Sequence, residues 1–494
     1  MRHVYREDAV LWPHSALLAV MLALVALLPG CSLAPAYERP VVTVPATLGE
    51  PRAATRSEAS PPAAISADER RFLVAFAPGD EALHLVASAL ATHPDLRAAA
   101  AQLAEARAEV TAQRSGLFPQ LDARAQRDKA RLDDPRAAAI LDRDFTSATL
   151  DFRFEPDVFG RVSSLSEAAA HDYMASAAAQ AEARAALIAD VLAAYVDERA
   201  SAEVSERLGH AAEAADALAA QARTQEAVGT ISADQTQEHE DQAARARIAS
   251  TDARRQHADA LRRLRSLAGY DLPDPAANIA AIGVNGIPDG DLRSLPSDVL
   301  LQRPDVMRAE ERLRAANARI GAARAAFFPS IQLSSSAGHV STDLAHLFGA
   351  ATGGWTFLPQ VTLPLFDGGA RQADLDLAKA RKNAAVAAYE STVRDAFRDV
   401  ADALGGRDAA ILRTTRLAPV CRANGERLRK ALARQQRRLE DASTLLARTI
   451  DAAQVQVDCL SAQRAQALNR IAVFRAFYGV TLPAADGVAH APSD

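Results

Sequence analysis

The residues most able to do chemistry in this sequence are its three cysteines, Cys31, Cys421 and Cys459. Cys421 and Cys459 each lie 19 residues from Glu440, which falls in a predicted turn between two long helices. Two antiparallel helices leaving that turn would carry both thiols to the same height, about 28 Å away at 1.5 Å per residue. In an oxidising compartment the pair could form a cross-helix disulfide. Equal height does not fix the side of a helix, so two separate buried thiols are the alternative.

Cys31 follows a segment that is typical of a secretory signal. Two arginines within the first six residues precede the apolar run 15–28, and Gly30 comes directly before Cys31. The run is shorter than the about 20 residues that a membrane-spanning helix needs. The Gly-Cys pair resembles the lipobox of bacterial lipoproteins, which implies N-acyl and S-diacylglycerol groups on Cys31. Ser32 stands where an inner-membrane retention signal would have Asp, which favours the outer membrane. The alternative is an ordinary signal peptide cut at another position.

The sequence lacks the short motifs of common enzyme sites. It has no G-x-S-x-G, Walker A, H-E-x-x-H, C-x-x-C or G-x-G-x-x-G pattern. His239 stands among acidic residues, but one histidine in a charged helix is typical of a solvated face, so no metal site is predicted. The formal net charge of −6 argues against a nucleic-acid partner, because such proteins normally carry a basic surplus. Apart from the lipid on Cys31, no cofactor is predicted.

The chain repeats itself. Residues 93–120 and 303–330 align at an offset of 210 without a gap, and ten of the 28 positions are identical. The identical pairs include Pro94/Pro304, Asp95/Asp305, Phe118/Phe328 and Pro119/Pro329. Helical spacing precedes Pro119 and Pro329, and proline ends each of these helices. The same order of segments follows in both halves, which indicates an internal duplication.

Very long helices are predicted in each half. Apolar residues make up 49% of the chain and aromatic residues only 5%, and much of the apolar content is alanine. Such a composition favours helices that pack closely together. The proline-free stretch 162–228 predicts one helix about 100 Å long at 1.5 Å per residue. Gly229 marks a turn, and 232–268 predicts the return helix. The second half predicts a long helix to about Leu439 and a return helix to Gly479.

Strand-like segments lie between these helices, and their side chains alternate. They fall at 120–134, 147–160, 330–338 and 355–369. In the second segment the apolar face carries Ala148, Leu150, Phe152 and Phe154. Strict alternation over about ten residues is the pattern of a tilted membrane β-strand. A soluble hairpin packed on a helix is the alternative.

Four strands cannot close a barrel, and open strand edges are not tolerated in lipid. The chain must therefore oligomerise if its strands enter a membrane, and three chains would supply twelve strands. The predicted fold is a mixed α and β membrane protein. A trimeric twelve-stranded outer-membrane β-barrel, with four strands per chain, continues into a long periplasmic α-helical barrel of coiled coils.

The domain boundaries follow from the repeat and from composition. The predicted segments are a signal peptide at 1–30, a lipid-anchored extended leader at 31–75, a first repeat at 76–270, a linker at 271–294, a second repeat at 295–482 and a flexible tail at 483–494.

Several motifs in this order resemble a known family. They are the stretches GCSLAPAYERPVVTVP (30–45), FAPGDEALHLVASALATHPDLRAA (76–99), GLFPQ (116–120), PDVFGR (156–161), LPSDVLLQRPDVMRAEERL (295–313) and VTLPLFDGG (361–369). The chain thus resembles the TolC-like outer-membrane factors of tripartite RND-type efflux systems, within the OprM- and NodT-type lipoprotein branch. The resemblance covers residues 31 to about 482.

The resemblance implies a passive homotrimeric duct with no catalysis of its own. It would export small molecules such as drugs and would contact outer-membrane lipid, a periplasmic adaptor protein and an inner-membrane pump. A type I secretion duct for proteins is one alternative. A non-conducting structural lipoprotein that bridges the envelope is another.

In the resembled family the duct closes at the periplasmic tip, where each long helix turns into its return helix. This implies three candidate gate residues: Asp441, Arg448 and Asp451. The chain departs from the family pattern, because Leu439 and Glu440 stand where a Gly is expected and Ala447 where an Asp is expected. A solvated coiled-coil face is the alternative for these charges. The same choice, partner contact or solvated face, applies to the basic run 427–440.

Overall fold

A computed structural model describes residues 34–35, 37–39, 65–130, 143–269, 272, 278–283, 292–293 and 295–480. The predicted signal peptide, Cys31 and the predicted tail at 483–494 lie outside the described residues. The chain divides into the units Met1–Ala54 and Thr55–Asp494. All elements below belong to the second unit.

Three helices open this unit: α1 at Ala67–Phe76, α2 at Glu81–Thr92 and α3 at Pro94–Ser115. The predicted extended leader at 31–75 is wrong over its last residues, because α1 begins inside it. Ser66 starts α1 with a capping box: its hydroxyl accepts from the Glu69 N–H, and the Glu69 carboxylate accepts from the Ser66 N–H. Phe72 and Phe76, four residues apart, are both buried.

Four strands form one antiparallel sheet in the order β1-β2-β3-β4. The strands are β1 at Gln120–Ala130, β2 at Arg143–Phe154, β3 at Ser330–Ser341 and β4 at Gly353–Thr362. Each half of the chain gives two neighbouring strands, and the pairing of β2 with β3 joins the halves. Leu150 lies opposite both Ala123 of β1 and Ala337 of β3. The register therefore aligns most of the apolar residues of the four strands on one face.

Long helices make up most of the unit. They are α4 at Arg161–Ala227, α5 at Ala233–Ala268, α6 at Pro304–Ala325, α7 at Ala370–Gln436 and α8 at Ala442–Ala476. The helices α4 and α7 each have 67 residues, which corresponds to about 100 Å. The mixed α and β architecture predicted from the sequence is confirmed.

The helices pack side by side in a row. On the strand side of the row, α4 lies between α3 and α6, and α6 packs on α7. On the turn side, α4 lies between α5 and α8, and α8 packs on α7. The largest apolar cluster lies at mid-length of α4, where Leu187–Ala200 contact α1, α2 and the end of α8. Elsewhere the contacts use mainly alanine, which lets helices approach closely.

No helix within the described part of the chain combines the length and the apolar content that crossing a membrane requires.

Candidate functional site

One face of the sheet is apolar and exposed. Its large exposed side chains are Leu121, Leu150, Trp355, Phe357 and Val361. Trp355 has 76% of its surface exposed, and the register places it on the same face as Ala337 and Leu150. A contiguous apolar patch of this kind marks a surface that an apolar neighbour covers. An ion pair lies beyond this apolar band, between Arg127 Nη2 and Asp144 Oδ1 at 3.2 Å.

The opposite face of the sheet is mainly polar. Asp151 lies at its centre, where its Oδ2 is 3.4 Å from Arg124 Nε and its Oδ1 accepts a 2.7 Å hydrogen bond from Ser336 Oγ. The neighbouring positions Gln126, Thr149 and Gln332 share this face by the alternation of the strands. One face thus suits lipid and the other suits water, as in a membrane barrel.

Each outer strand of the sheet has a single neighbour within the described residues. β1 pairs only with β2, and β4 pairs only with β3. Their free edges carry backbone N–H and C=O groups that an apolar surrounding would leave unsatisfied. A sheet with this surface needs further strands at both edges.

An aspartate fixes each junction between the sheet and a long helix. Asp157 accepts from the backbone N–H groups of Val162 at 3.0 Å and Ser163 at 2.7 Å, at the start of α4. Asp367 accepts from Gly369 and Arg371, both at 3.0 Å, at the start of α7. Burial tends to raise the pKa of Asp157, but these backbone hydrogen bonds lower it overall. The hydrogen bond from Arg371 N–H likewise lowers the pKa of Asp367.

These aspartates explain two of the sequence motifs. The turn into each helix places a glycine in the left-handed region, Gly160 at φ 74° and Gly369 at φ 91°. A side chain with Cβ rarely adopts that conformation. PDVFGR and LFDGG are therefore equivalent turns, and each sets the direction in which a long helix leaves the sheet.

The two far turns, which we call the tip turns, have the same backbone course. In the first, Gly229 has φ 75°, and Thr230 N–H donates to the Gln225 carbonyl at 2.9 Å. In the second, Leu439 N–H donates to the Arg434 carbonyl at 2.9 Å, and Arg438 has φ 58°. Arg438 is the one non-glycine residue with positive φ within the described ranges.

The three candidate gate residues make separate contacts in a single chain. Asp441 caps α8, where its carboxylate accepts from Thr444 N–H at 3.1 Å. Hydrogen bonds from the Ser443 hydroxyl and the Thr444 N–H lower the pKa of Asp441. Arg448 Nη2 lies 2.9 Å from Glu440 Oε1, and Asp451 is exposed. Within the described residues no ion pair links the three, so the gate stays a prediction. Sequence reasoning missed Glu440 as the partner of Arg448.

Cys421 and Cys459 are joined by a disulfide, with their Cα atoms 6.2 Å apart. The bond connects α7 to α8. Close by, Asn424 Nδ2 donates to the Ala452 carbonyl at 3.1 Å across the same pair of helices. The disulfide therefore joins the two helices of the second hairpin, α7 and α8, at a point that lies between the tip turn and the apolar cluster.

A buried ionic group fastens the N-terminal helix, and sequence reasoning did not find it. The Glu69 carboxylate accepts from Arg184 Nε at 2.8 Å and Nη2 at 2.9 Å, and from Tyr478 Oη at 2.8 Å. Burial alone would raise the pKa of Glu69. The hydrogen bonds from Arg184, Ser66 N–H and Tyr478 outweigh burial and lower the pKa to about 2. Burial, together with the hydrogen bond to Glu69, raises the pKa of Tyr478.

Arg303, the first residue of the RPD motif (303–305), has a similar structural role in the second half. Its guanidinium donates to the carbonyls of Ala396 at 3.4 Å and Ala476 at 3.2 Å. It also donates to Asp305 at 2.7 Å and Asp399 at 3.1 Å. One buried arginine thus ties α6, α7 and the end of α8 together.

Within the described part of the chain, no group of three or more His, Cys, Asp or Glu side chains is arranged to hold a metal ion.

Comparison with known proteins gives a consistent result. A family model described as outer membrane efflux protein matches residues 85–270 and 295–477. The chain is 36% identical over 390 residues to the toluene efflux pump outer membrane protein TtgC of Pseudomonas putida, covering 77% of this chain and 78% of that protein. It is 35% identical over 461 residues to the outer membrane protein OprJ of Pseudomonas aeruginosa, covering 92% and 90%. Among solved structures, the open state of the Neisseria gonorrhoeae outer membrane channel MtrE aligns with a TM-score of 0.69 and 32% identity, covering 90% of this chain and 98% of that chain.

Proposed function

Because this chain belongs to the outer membrane efflux protein family, we propose that three copies form one passive duct for small molecules across the outer membrane. The chain is an outer-membrane efflux channel protein, and the proposal concerns its assembly, cargo and partners. The observation that carries the proposal is the sheet, with one apolar face, one polar face and two free edges.

Closure of the sheet explains the trimer. If β4 of one subunit pairs with β1 of the next, three sheets make a closed barrel of twelve strands, and no edge remains. The apolar face then meets lipid and the polar face lines a water-filled lumen. The helix row closes in the same way, with α7 of one subunit beside α3 and α5 of the next.

The cargo is proposed to be small organic molecules, including drugs. TtgC is named for a toluene efflux pump, and the protein ArpC of Pseudomonas putida for an antibiotic efflux pump. The polar face of the sheet has paired charges and hydroxyl groups, which suits passive passage and not selective binding. A duct of this kind performs no catalysis. It would receive cargo from an inner-membrane pump through a periplasmic adaptor protein.

A covalent lipid on Cys31 is proposed to add a second membrane attachment. The Gly-Cys pair after the apolar run supports it. Radiolabelled palmitate should enter the wild-type protein and not the Cys31→Ser variant. Equal labelling of both would overturn the lipid proposal and leave the barrel proposal intact.

Deletion of the gene in its own host tests the export function. We expect the deletion strain to accumulate small fluorescent dyes and to become sensitive to drugs, with both effects reversed by the wild-type gene. Unchanged dye efflux together with retention of a secreted protein would favour a type I secretion duct. No change in either would favour an envelope-bridging lipoprotein.

A further inference from the structure

The helices at the two ends of the tip-side row carry exposed stripes of opposite charge. On α5 the acidic stripe is Asp234, Glu238 and Asp241. On α7 the basic stripe is Arg427, Lys430 and Arg434. The spacings of three and four residues place each set on one side of its helix. All six side chains are exposed, and within the described residues none of them makes an ion pair inside the chain.

The chain contains a template for the contact that these stripes would make. The helices α4 and α7 have equal length and begin 209 positions apart, and α5 and α8 also begin 209 positions apart. In the contact of α8 with α4, Ile450 packs against a cluster that contains Ala215 and Ala219. The equivalent contact of α5 with α7 cannot form within one chain, because these helices lie at opposite ends of the row.

Because the two repeats are equivalent, the register of the α8–α4 contact predicts the register between α5 of one subunit and α7 of the next. Asp241 is the equivalent of Ile450, and residues 424 and 428 are the equivalents of Ala215 and Ala219. Asp241 of one subunit would therefore lie beside the helical turn of α7 that contains Arg427 of the next subunit. Extending the antiparallel register gives these pairs: Asp234 with Arg434, Glu238 with Lys430, Asp241 with Arg427, Ile248 with Val420, and Asp252 with Arg416. Ile248 and Val420 continue the same sides of α5 and α7 beyond the charged stripes, and these apolar side chains are 64% and 48% exposed.

We propose that α5 of one subunit and α7 of the next join through these pairs in an ionic seam, defined as the facing residues 234–252 and 416–434. The inference rests on the proposed trimer. The ring at the tip then has two kinds of helix contact. The six contacts between hairpins are of these two kinds: the three α4–α8 contacts within subunits are apolar around Ile450, and the three α5–α7 contacts between subunits are ionic. Exposed ion pairs are weak and are screened by salt, so the tip parts along the seams.

Cysteine cross-linking tests the register and leaves every charge in place. The variant carrying Ile248→Cys and Val420→Cys should form disulfide-linked subunits on mild oxidation, because the seam brings the two positions within disulfide reach. The matched control carries Ile248→Cys and Leu412→Cys. Leu412 is 58% exposed on the same helix, but lies about 12 Å further from the tip at 1.5 Å per residue. Linked species at least about tenfold more abundant in the first variant would support the seam, since disulfides form only at short Cα separations.

Two results would overturn the proposal in different ways. A trimer by native mass spectrometry with no preferential cross-linking would reject the seam and leave the proposed function standing. A monomer would reject both.

Charge reversal tests the role of the seam in opening. In planar bilayers, Asp241→Lys should raise the mean conductance several-fold, and adding Arg427→Glu should return it to the wild-type value. In the wild type, conductance divided by bulk conductivity should rise between about 0.1 and 1 M salt, over which the screening length falls from about 10 to 3 Å. The same conductance for the wild type, the single reversal and the swap would contradict the proposal.

Discussion

At the residue scale, single charged side chains join the helices of this alanine-rich structure. Glu69 is buried, with 4% of its side chain exposed, and it connects α1 with Arg184 of α4 and with Tyr478 after α8. Such a group is costly to break, because removing one partner leaves the other charge buried and unpaired.

Replacing Glu69 by Gln should destabilise the protein by about 3 kcal/mol, the size expected when a buried ion pair loses one partner. The pKa of Glu69 falls from 4.5 to about 2 on folding. The carboxylate therefore stabilises the fold fully above about pH 4.5 and loses this effect as the pH falls towards 2. The melting temperatures of wild type and Glu69→Gln should differ most near neutral pH and converge in acid. The control is Asp68→Asn, since Asp68 is 86% exposed; a drop as large in the control would contradict the prediction.

The gate prediction also belongs to single residues. If charges at the tip keep the duct closed, Arg448→Ala should raise single-channel conductance by releasing Glu440, and Asp451→Ala should also raise it. Asp458→Ala is a matched control, because Asp458 is exposed on α8 two turns further from the tip. Equal conductance in all three variants would leave these charges as a solvated helix face.

At the scale of elements, the sequence predicted the long helices and the strands, but it did not predict helix α1 or the contacts that join the elements. Residues 162–228 were expected as one helix, and α4 occupies 161–227 with the same length. The alternation of apolar and polar residues in 147–155 located β2, because successive side chains of a strand point to opposite faces of the sheet. Helix α1 escaped prediction because only its capping box and two phenylalanines mark it. The contacts of Glu69 with Arg184 and of Arg303 with Ala396 join residues more than 90 positions apart, which no local pattern reveals.

A glycine pair tests how closely β2 and β3 approach. Gly338 lies opposite Gly354, but a Cβ on Gly338 would come within 2.1 Å of the Ala148 carbonyl oxygen. Nothing lies within 4 Å of the corresponding position on Gly354. Gly338→Ala should therefore lower the yield of heat-stable trimer several-fold, and Gly354→Ala should leave it unchanged. Gel electrophoresis without boiling measures both, and equal yields would show that the strands can separate to admit the methyl group.

The second hairpin offers a test of its disulfide. Cys421 and Cys459 link α7 to α8 between the tip turn and the apolar cluster. Reduction, or Cys421→Ser, should speed hydrogen exchange in the tip half of α7, because the link no longer opposes local opening. The first hairpin has no cysteine, so exchange in α5 is the internal control. Faster exchange in both hairpins would indicate a general loss of stability.

At the scale of the whole molecule, one unit of helix, two strands and helical hairpin occurs twice in the chain. Within the described residues both the sheet and the helix row end in uncovered surfaces, which the proposed trimer would cover. The duplication, the strand pattern and the family motifs were readable from the sequence, and the outer-membrane efflux function is confirmed by the family match. The charges of α5 and α7 were visible as well. Their meaning required the order of helices in the row, which the fold alone supplies.

The central claim is that three chains close a conducting barrel. The most direct measurement is single-channel recording in planar bilayers on purified protein whose subunit number is established by native mass spectrometry. We expect a trimer with discrete openings, small or rare in the wild type and larger in Asp241→Lys. A monomer, or a trimer that stays silent in Asp241→Lys and in Arg448→Ala, would contradict this claim.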